Sequence, residues 1–422
     1  MPRRPDNRRL QPDWRALGAL LKLAAQNVLR QRGRSATALI AIALGVASLI
    51  VAGGFIHDVY IQMGESIIHS QYGHLQIYRR GYVQHGTQHP TDYLIDDPDA
   101  VIQRIQALPR VAIVLPRLHF TGLANAGGAD WAIVGEGIEP KLENQLGTYV
   151  QLVSGRLLRE DDRDAVIVGD GVAKALRLSS GQPITLSIST RAGALNTVDF
   201  QVVGIFRSYS KEFDQRSIRM PLKAAKDLLA TSAVNEIAVA LTDTAATDAT
   251  ASLADASIGQ LGYEVRSWRD LADFYNKTVH LLEREFAFLV GVMLLMIVLS
   301  VANTINTAAF ERLPEFGTML ALGDRRRDVF RLIMLECTIL GMLGSLLGLG
   351  IGVALALALS ALGISMPPPP NTDLGYTALI RIVPGVIFGA VAVGVVAAML
   401  AGVFPSLRIA RTAPAEALRM AL

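Results

Sequence analysis

Four stretches of the chain run without a charged residue for longer than a water-soluble fold requires: Ser35–Ile56 (22 residues), Phe286–Phe310 (25), Cys337–Leu362 (26) and Ile382–Leu407 (26). A helix needs about 20 apolar residues to cross the hydrocarbon core, so each stretch predicts a membrane span. Between the first and second lie 229 residues, His57–Glu285, of ordinary polar composition. The totals agree with a membrane protein carrying a large soluble part: 51% apolar residues, 18% charged and a mean hydropathy of +0.35.

The insertion alternates two periodicities. His74–Tyr78, Val111–Leu115, Leu118–Leu123 and Trp131–Val134 read as strands, and Pro98–Leu108 as a helix facing inward through Val101, Ile102 and Ile105. A second block follows Gly155: Ala165–Val168, Ile184–Ile188 and Phe200–Phe206 are strand-like, and Pro221–Ala230 is helical. Glu236–Leu241, a helix over Ala249–Leu261 and Tyr263–Ser267 then complete the first block, which predicts an inserted subdomain at about 155–235. His57–His69 and Leu271–Glu285 keep helical character beyond the apolar runs and read as stalks.

Arginine and lysine set the expected orientation. Nine precede Ser35, five lie in 311–336 (Arg312, Arg325, Arg326, Arg327, Arg331) and three follow Leu407 (Arg408, Arg411, Arg419), whereas the connection Gly363–Ile380 has none. The positive-inside rule places both termini in the cytoplasm and the large domain outside, periplasmic in a diderm bacterium. The fold class expected is an α+β membrane protein, four transmembrane helices with a mixed α/β extracytoplasmic domain inserted between the first and second. Its segments are a cytoplasmic N-terminal stretch (1–34) with an amphipathic helix from Trp14 to Arg32, spans at 35–56, 286–310, 337–362 and 382–407, the domain at 57–285, a cytoplasmic loop at 311–336, a short outer loop at 363–381 and a cytoplasmic tail at 408–422. The first apolar run is long enough to remain as an anchor. Met366–Pro370 forms a stiff polyproline link in the outer loop.

The loop Glu311–Glu336 reads as a short helix with Phe316, Met319 and Leu320 on one side, laid along the membrane surface, a shape suited to docking a cytoplasmic partner. Gly317 and Gly323 would allow tight turns. Glu336, about one turn into the third span, is expected to pair with the Arg325–Arg331 cluster. Gly341, Gly344, Gly348 and Gly352 mark a close-packed face of the third span, for a dimer or for another span. The spans carry their main polar cluster, Asn303–Thr307, at the inner end only, so cargo is expected to enter from the outer leaflet or the periplasm and not through the spans.

The spaced run Glu311-Arg312, Glu315-Phe316-Gly317, Ala321-Leu322-Gly323 and Glu336 resembles the signature of the MacB/FtsX/LolC/LolE permeases, membrane subunits of ABC transporters. Pro314 stands where that family usually has another residue. The lead-in Asn27-Val28 with Arg30 and Arg34, the series Ser154-Gly155-Arg156, Val166–Gly169, Gly181, Val203–Phe206 and Trp268, and the ending from Pro405 to Arg419 resemble it too; Gln182 replaces a usual Asp. The resemblance implies an ATPase-coupling loop at Glu311, Arg312, Glu315, Gly317, Gly323 and Arg326. It also implies a second permease copy or paralogue, and a cytoplasmic ABC ATPase dimer that holds the ATP and Mg. A standalone chain of this layout looks most like the lipoprotein-releasing LolC/LolE permeases, with a periplasmic lipoprotein carrier or adaptor as partner. MacB-like efflux and an FtsX-like regulator of a cell-wall hydrolase are the alternatives.

No G-x-x-x-x-G-K-[ST] occurs, so ATP is not cradled by a P-loop here, and no cofactor is expected on this chain. H-E-x-x-H and G-x-S-x-G are also missing, and the chain is expected to be a non-catalytic subunit. His85 and His89 sit in a Gly- and Thr-containing loop without a third ligand, and Asp161, Asp162 and Asp164 lack the glycine and terminal glutamate of a calcium loop, so no metal is expected. The net charge of +3 is spread beside the spans, which argues for membrane topology and against nucleic acid. The single cysteine, Cys337, permits no internal disulfide.

Overall fold

The computed structural model describes residues 22–24, 26–28, 30, 32–86, 90–147, 150–367 and 375–411. Most of the expected helix from Trp14 to Arg32, His89, the prolines 368–370 and the tail beyond 411 lie outside these. The described residues form two compact units, one within 1–59, 280–364 and 377–422, the other within 60–279 and 365–376.

The first unit is helical. Arg32–Ile67, Asp273–Glu311, Arg326–Leu362 and Pro384–Arg411 are each long and apolar enough to cross a membrane. The first two exceed their apolar runs: each helix continues unbroken into polar sequence. Packing follows small residues. A side chain at Gly344 would meet Ile42, at Gly348 the carbonyl of Ala43 and Val46, and at Gly352 Ala47 and Ile50, so this stripe lies against the first span of the same chain. Gly341 faces Ala398 and Val395 of the fourth. At the far end of the first span Asp58 is fully buried, accepting from the Leu379 amide (3.0 Å) and from Arg381 Nε (2.8 Å). This charge-assisted pair fixes the start of the fourth span.

The second unit is built on one sheet: β1 (Leu75–Arg79), β2 (Val111–Asn125), β3 (Asp130–Ile138), β4 (Gln151–Gly155), β5 (Ala165–Gly169), β6 (Pro183–Ser189), β7 (Leu195–Arg207), β8 (Ser217–Pro221), β9 (Glu236–Leu241) and β10 (Tyr263–Ser267). The order is β10-β1-β9-β2-β3-β8-β5-β7-β4, with β6 bridging β2 and β7. The β3–β8 and β5–β7 pairs are parallel and the others antiparallel. Strands β5 and β9 are buried along their whole length, as AVIVG and the central IAVAL of β9 require; β6 alternates. Pro98 opens a helix capped by Asp97, whose side chain accepts from the Ala100 amide (3.3 Å).

Two expectations need correction. The runs at 111–115 and 118–123 are one strand: Pro116 stays in register with Ile237 of β9, and β2 changes partner from β9 to β3 between Arg117 and Leu118. The inner half of the sheet therefore begins at Leu118, inside β2, and not near 155: β2 serves both halves, and no linker separates them. The Gly155-Arg156 motif is scaffold. Gly155 has φ +80 against the carbonyl of Val203, and Arg156 makes a two-pronged pair with Asp162 (2.7 Å each).

Candidate functional site

The loop after the second span is a helix held by one arginine. Leu313–Ala321 begins with Pro314 in its first turn, where a missing N–H costs nothing, and buries Leu313, Phe316 and Gly317. Arg312 precedes it, half-buried, with its guanidinium 5.1 Å from the Phe316 ring centre. That guanidinium binds Glu336 through Nη1 (3.0 and 3.1 Å) and Glu315 through Nε (3.0 Å). Glu336 also accepts from Asn27 Nδ2 (2.7 Å), and Arg30 reaches Glu315 (3.4 Å). Three segments far apart in sequence thus meet on one carboxylate: the N-terminal stretch, the loop helix and the third span. Charge-assisted bonds at this depth are short and resist displacement.

The expected Glu336 partner is corrected. Arg331 precedes Glu336 by five residues, about 140° around the helix, so the two side chains diverge; Arg331 turns to Asp328 instead (3.6 Å). Gly317 is not a turn but a buried interior helix position. Gly323 is the turn, at φ +108 with open space around it. Residues 321–327, Arg326 included, are exposed beyond it, and Glu311 is exposed at the end of the preceding helix. The loop thus splits into a buried anchor (Arg312, Phe316, Gly317) and an outward edge (Glu311, Glu315, Arg326).

A second polar constellation lies inside the α/β domain, and sequence reading missed it. Arg117 and His119 occupy alternate positions of β2 and so share one face. Register places Arg117 opposite Glu236 of β9 and His119 opposite Glu136 of β3, while Glu136 neighbours Arg219 of β8. Arg117 binds Glu143 through Nη2 (2.6 Å) and Nε (3.2 Å), and Glu236 through Nη1 (3.2 Å); Arg219 Nε donates to Glu136 (2.8 Å); His119 Nε2 lies 2.7 Å from Glu236. Both guanidiniums are under 4% exposed. Burial raises the carboxyl pKa of Glu136 and Glu236, but Arg219 beside the first and His119 beside the second outweigh it and hold both below the usual range. The available signal was the pair Arg117 and His119, two residues apart in the otherwise largely apolar β2, with Glu136, Arg219 and Glu236 in β3, β8 and β9.

Among the described residues no group of His, Cys, Asp and Glu is placed to hold a metal ion.

Four membrane-length helices with a mixed α/β domain inserted in the chain define an integral membrane protein. Residues 35–256 match the family described as MacB-like periplasmic core domain, and residues 287–414 the FtsX-like permease C-terminal family. The chain belongs to the MacB/FtsX-type ABC transporter permeases, membrane proteins with a periplasmic domain. It is 27% identical over 356 residues to the pyoverdine export ATP-binding/permease protein PvdT of Pseudomonas aeruginosa, covering 80% of this chain and 51% of that one. The macrolide export ATP-binding/permease protein MacB of Psychrobacter arcticus is 24% identical over 164 residues, covering 37% and 25%. The chain thus spans about half the length of PvdT. Among solved structures, the periplasmic region of MacB from Actinobacillus actinomycetemcomitans aligns with a TM-score of 0.36 at 16% identity, covering 50% of this chain and 95% of that one. The extracellular domain of the ABC-type transporter YknZ from Gram-positive bacteria aligns at 0.34 and 15%, covering 46% and 99%.

Proposed function

We propose that the chain is the permease subunit of an ABC system, non-catalytic itself, that transmits the motion of a separate ATPase dimer carrying ATP and Mg to its periplasmic domain. A second permease copy or paralogue completes the membrane unit. The observation that carries this reading is the anchoring of the loop helix: Arg312 and Asn27 converge on Glu336, so a push on the exposed edge at Glu315 and 321–327 reaches the third span and the N-terminal stretch together. The unbroken helices Arg32–Ile67 and Asp273–Glu311 offer the rods for the rest of the path. Orientation follows the arginines, termini inward and domain outward.

The layout favours extraction of a lipoprotein or another lipophilic cargo, passed to a periplasmic carrier or adaptor. The names of the relatives, pyoverdine and macrolide export, favour the second reading, efflux of small molecules or peptides. Both use the same coupling loop. The test is reconstitution with the cognate ATPase in proteoliposomes. Glu336→Gln and Gly323→Val, the latter forcing a β-branched residue to φ +108, should leave ATP hydrolysis running while cargo movement falls at least about tenfold. Wild-type cargo movement in both variants would refute the loop as the coupling element.

A further inference from the structure

A cavity of about 630 Å3, within the range of about 300–1,000 Å3 typical of small-molecule sites, opens into the α/β domain above the buried charges. Its walls are aromatic: Tyr78 and Tyr82 stack with ring centres 4.6 Å apart at 10°, and Phe120, Tyr209, Phe213 and Tyr275 continue the lining. Its polar floor is Glu136, Glu236 and His119, and exposed Glu212 and Asp273 stand at its rim with Arg216. His119 is the member that reaches open space, 18% exposed, against 3–4% for the two glutamates.

The floor is one positive charge short. Three buried carboxylates, Glu136, Glu143 and Glu236, face two guanidiniums, Arg117 and Arg219. The balancing charge comes from His119 when it is protonated, or from something bound. We propose that this cleft binds an organic cation with an aromatic or alicyclic body, whose charge replaces that of protonated His119 beside Glu236 and Glu136.

Tyrosine and phenylalanine faces attract a cation more strongly when water is excluded, and the carboxylates beneath them are already dehydrated. An anion would meet Glu136 and Glu236 at the floor and Glu212 and Asp273 at the rim, against Arg216 and protonated His119. Burial lowers the tendency of His119 to carry charge, but Glu236 and then Glu136 outweigh it against the opposing Arg117, so its pKa is raised. Facing the ring are Glu236 of β9, Glu136 of β3 with Arg219 of β8 behind it, Arg117 of its own strand and Tyr78 of β1 through their shared Glu236, while Asn235 holds the His119 backbone. Ligand and proton compete for one place, so binding releases a proton and tightens as pH rises through the pKa of His119. The site lies wholly within the α/β domain and shares no residue with the coupling loop, so the inference holds or fails independently of the ATPase reading.

The experiment is calorimetric titration of the full chain in detergent, against matched empty micelles, with tetraphenylphosphonium and with tetraphenylborate, ions of one shape and opposite charge. The phosphonium should saturate at one per chain, tighten by up to about tenfold per pH unit near the His119 pKa, and release a proton seen as a buffer-dependent heat. Phe274→Ala, an exposed position on the lining, should weaken it several-fold with the fold intact, and His119→Gln should abolish the pH dependence while binding persists. Equal binding of the borate, unsaturable uptake indifferent to Phe274→Ala, or a pH dependence surviving in His119→Gln would each overturn the proposal.

Discussion

Arg117 is the member of the buried cluster whose loss should be felt most. Its side chain is 1% exposed and joins Glu143 of helix Pro140–Leu146 to Glu236 of β9. Arg117→Met keeps most of the volume and removes the charge, leaving dehydrated Glu143 without its ion-pair partner and Glu236 with only His119 and Tyr78. Breaking a buried pair from one side costs about 3–5 kcal/mol. At about 2–4 °C per kcal/mol for a domain of this size, the unfolding transition of the full chain in detergent should fall by about 6–20 °C. The pH dependence gives a second check. In the wild type the carboxyl pKa of Glu236 is lowered, so its contribution is present above the ordinary 4.5 and lost as pH falls through the folded value. In the variant the loss of Arg117 raises that pKa while His119 and Tyr78 stay bonded to Glu236, so the deficit is full near neutral pH and shrinks as pH falls below the ordinary 4.5. Scanning fluorimetry across that range measures both. A drop below about 2 °C, or a deficit unchanged with pH, would refute the claim that Arg117 neutralises dehydrated charge.

Three further outcomes follow from the same contacts. Gly348→Leu would press into the Ala43 carbonyl, 2.7 Å from its Cβ, and should destabilise the helical unit by about 1–3 kcal/mol or more, whereas Gly350→Leu, with open space around it, should not; equal melting of the two variants would remove the stripe from the packing. Burial holds the Asp214 carboxyl up at about 6 against hydrogen bonds from Ser208, so stability declines as pH rises from the ordinary 3.8 towards 6. Asp214→Asn should therefore gain about 2–3 kcal/mol above pH 7 and little below pH 4 in denaturant titrations, and a loss at pH 7 would contradict it. Cysteines at Asp97 or Asp243 should react with an impermeant thiol reagent in spheroplasts while those at Asp324 or Arg411 do not, with buried Cys337 silent; the reverse pattern would invert the topology.

The chain's local order was legible from residues alone. Uncharged runs fixed where the four long helices lie, because hydrocarbon length is a one-dimensional constraint, and strand alternation located β1, β5, β6, β9 and β10 within a residue or two. Glycine at 323 announced a positive φ. Partners were not legible. Glu336 had four arginines nearby in sequence, Arg325, Arg326, Arg327 and Arg331, yet binds Arg312 and Asn27, 24 and 309 residues away, because helix phase turns the near ones aside. The stripe Gly341–Gly352 named a close contact, and only packing showed that its neighbours are Ile42 to Ile50 and Val395 to Ala398. Arg117, His119, Glu136, Arg219 and Glu236 look like ordinary strand charges until register lays them side by side. Periodicity is a property of neighbours along the chain and survives in the sequence, whereas charge pairing and cavity shape depend on which strands and helices are brought together, and that is decided only when the whole sheet and the whole bundle close.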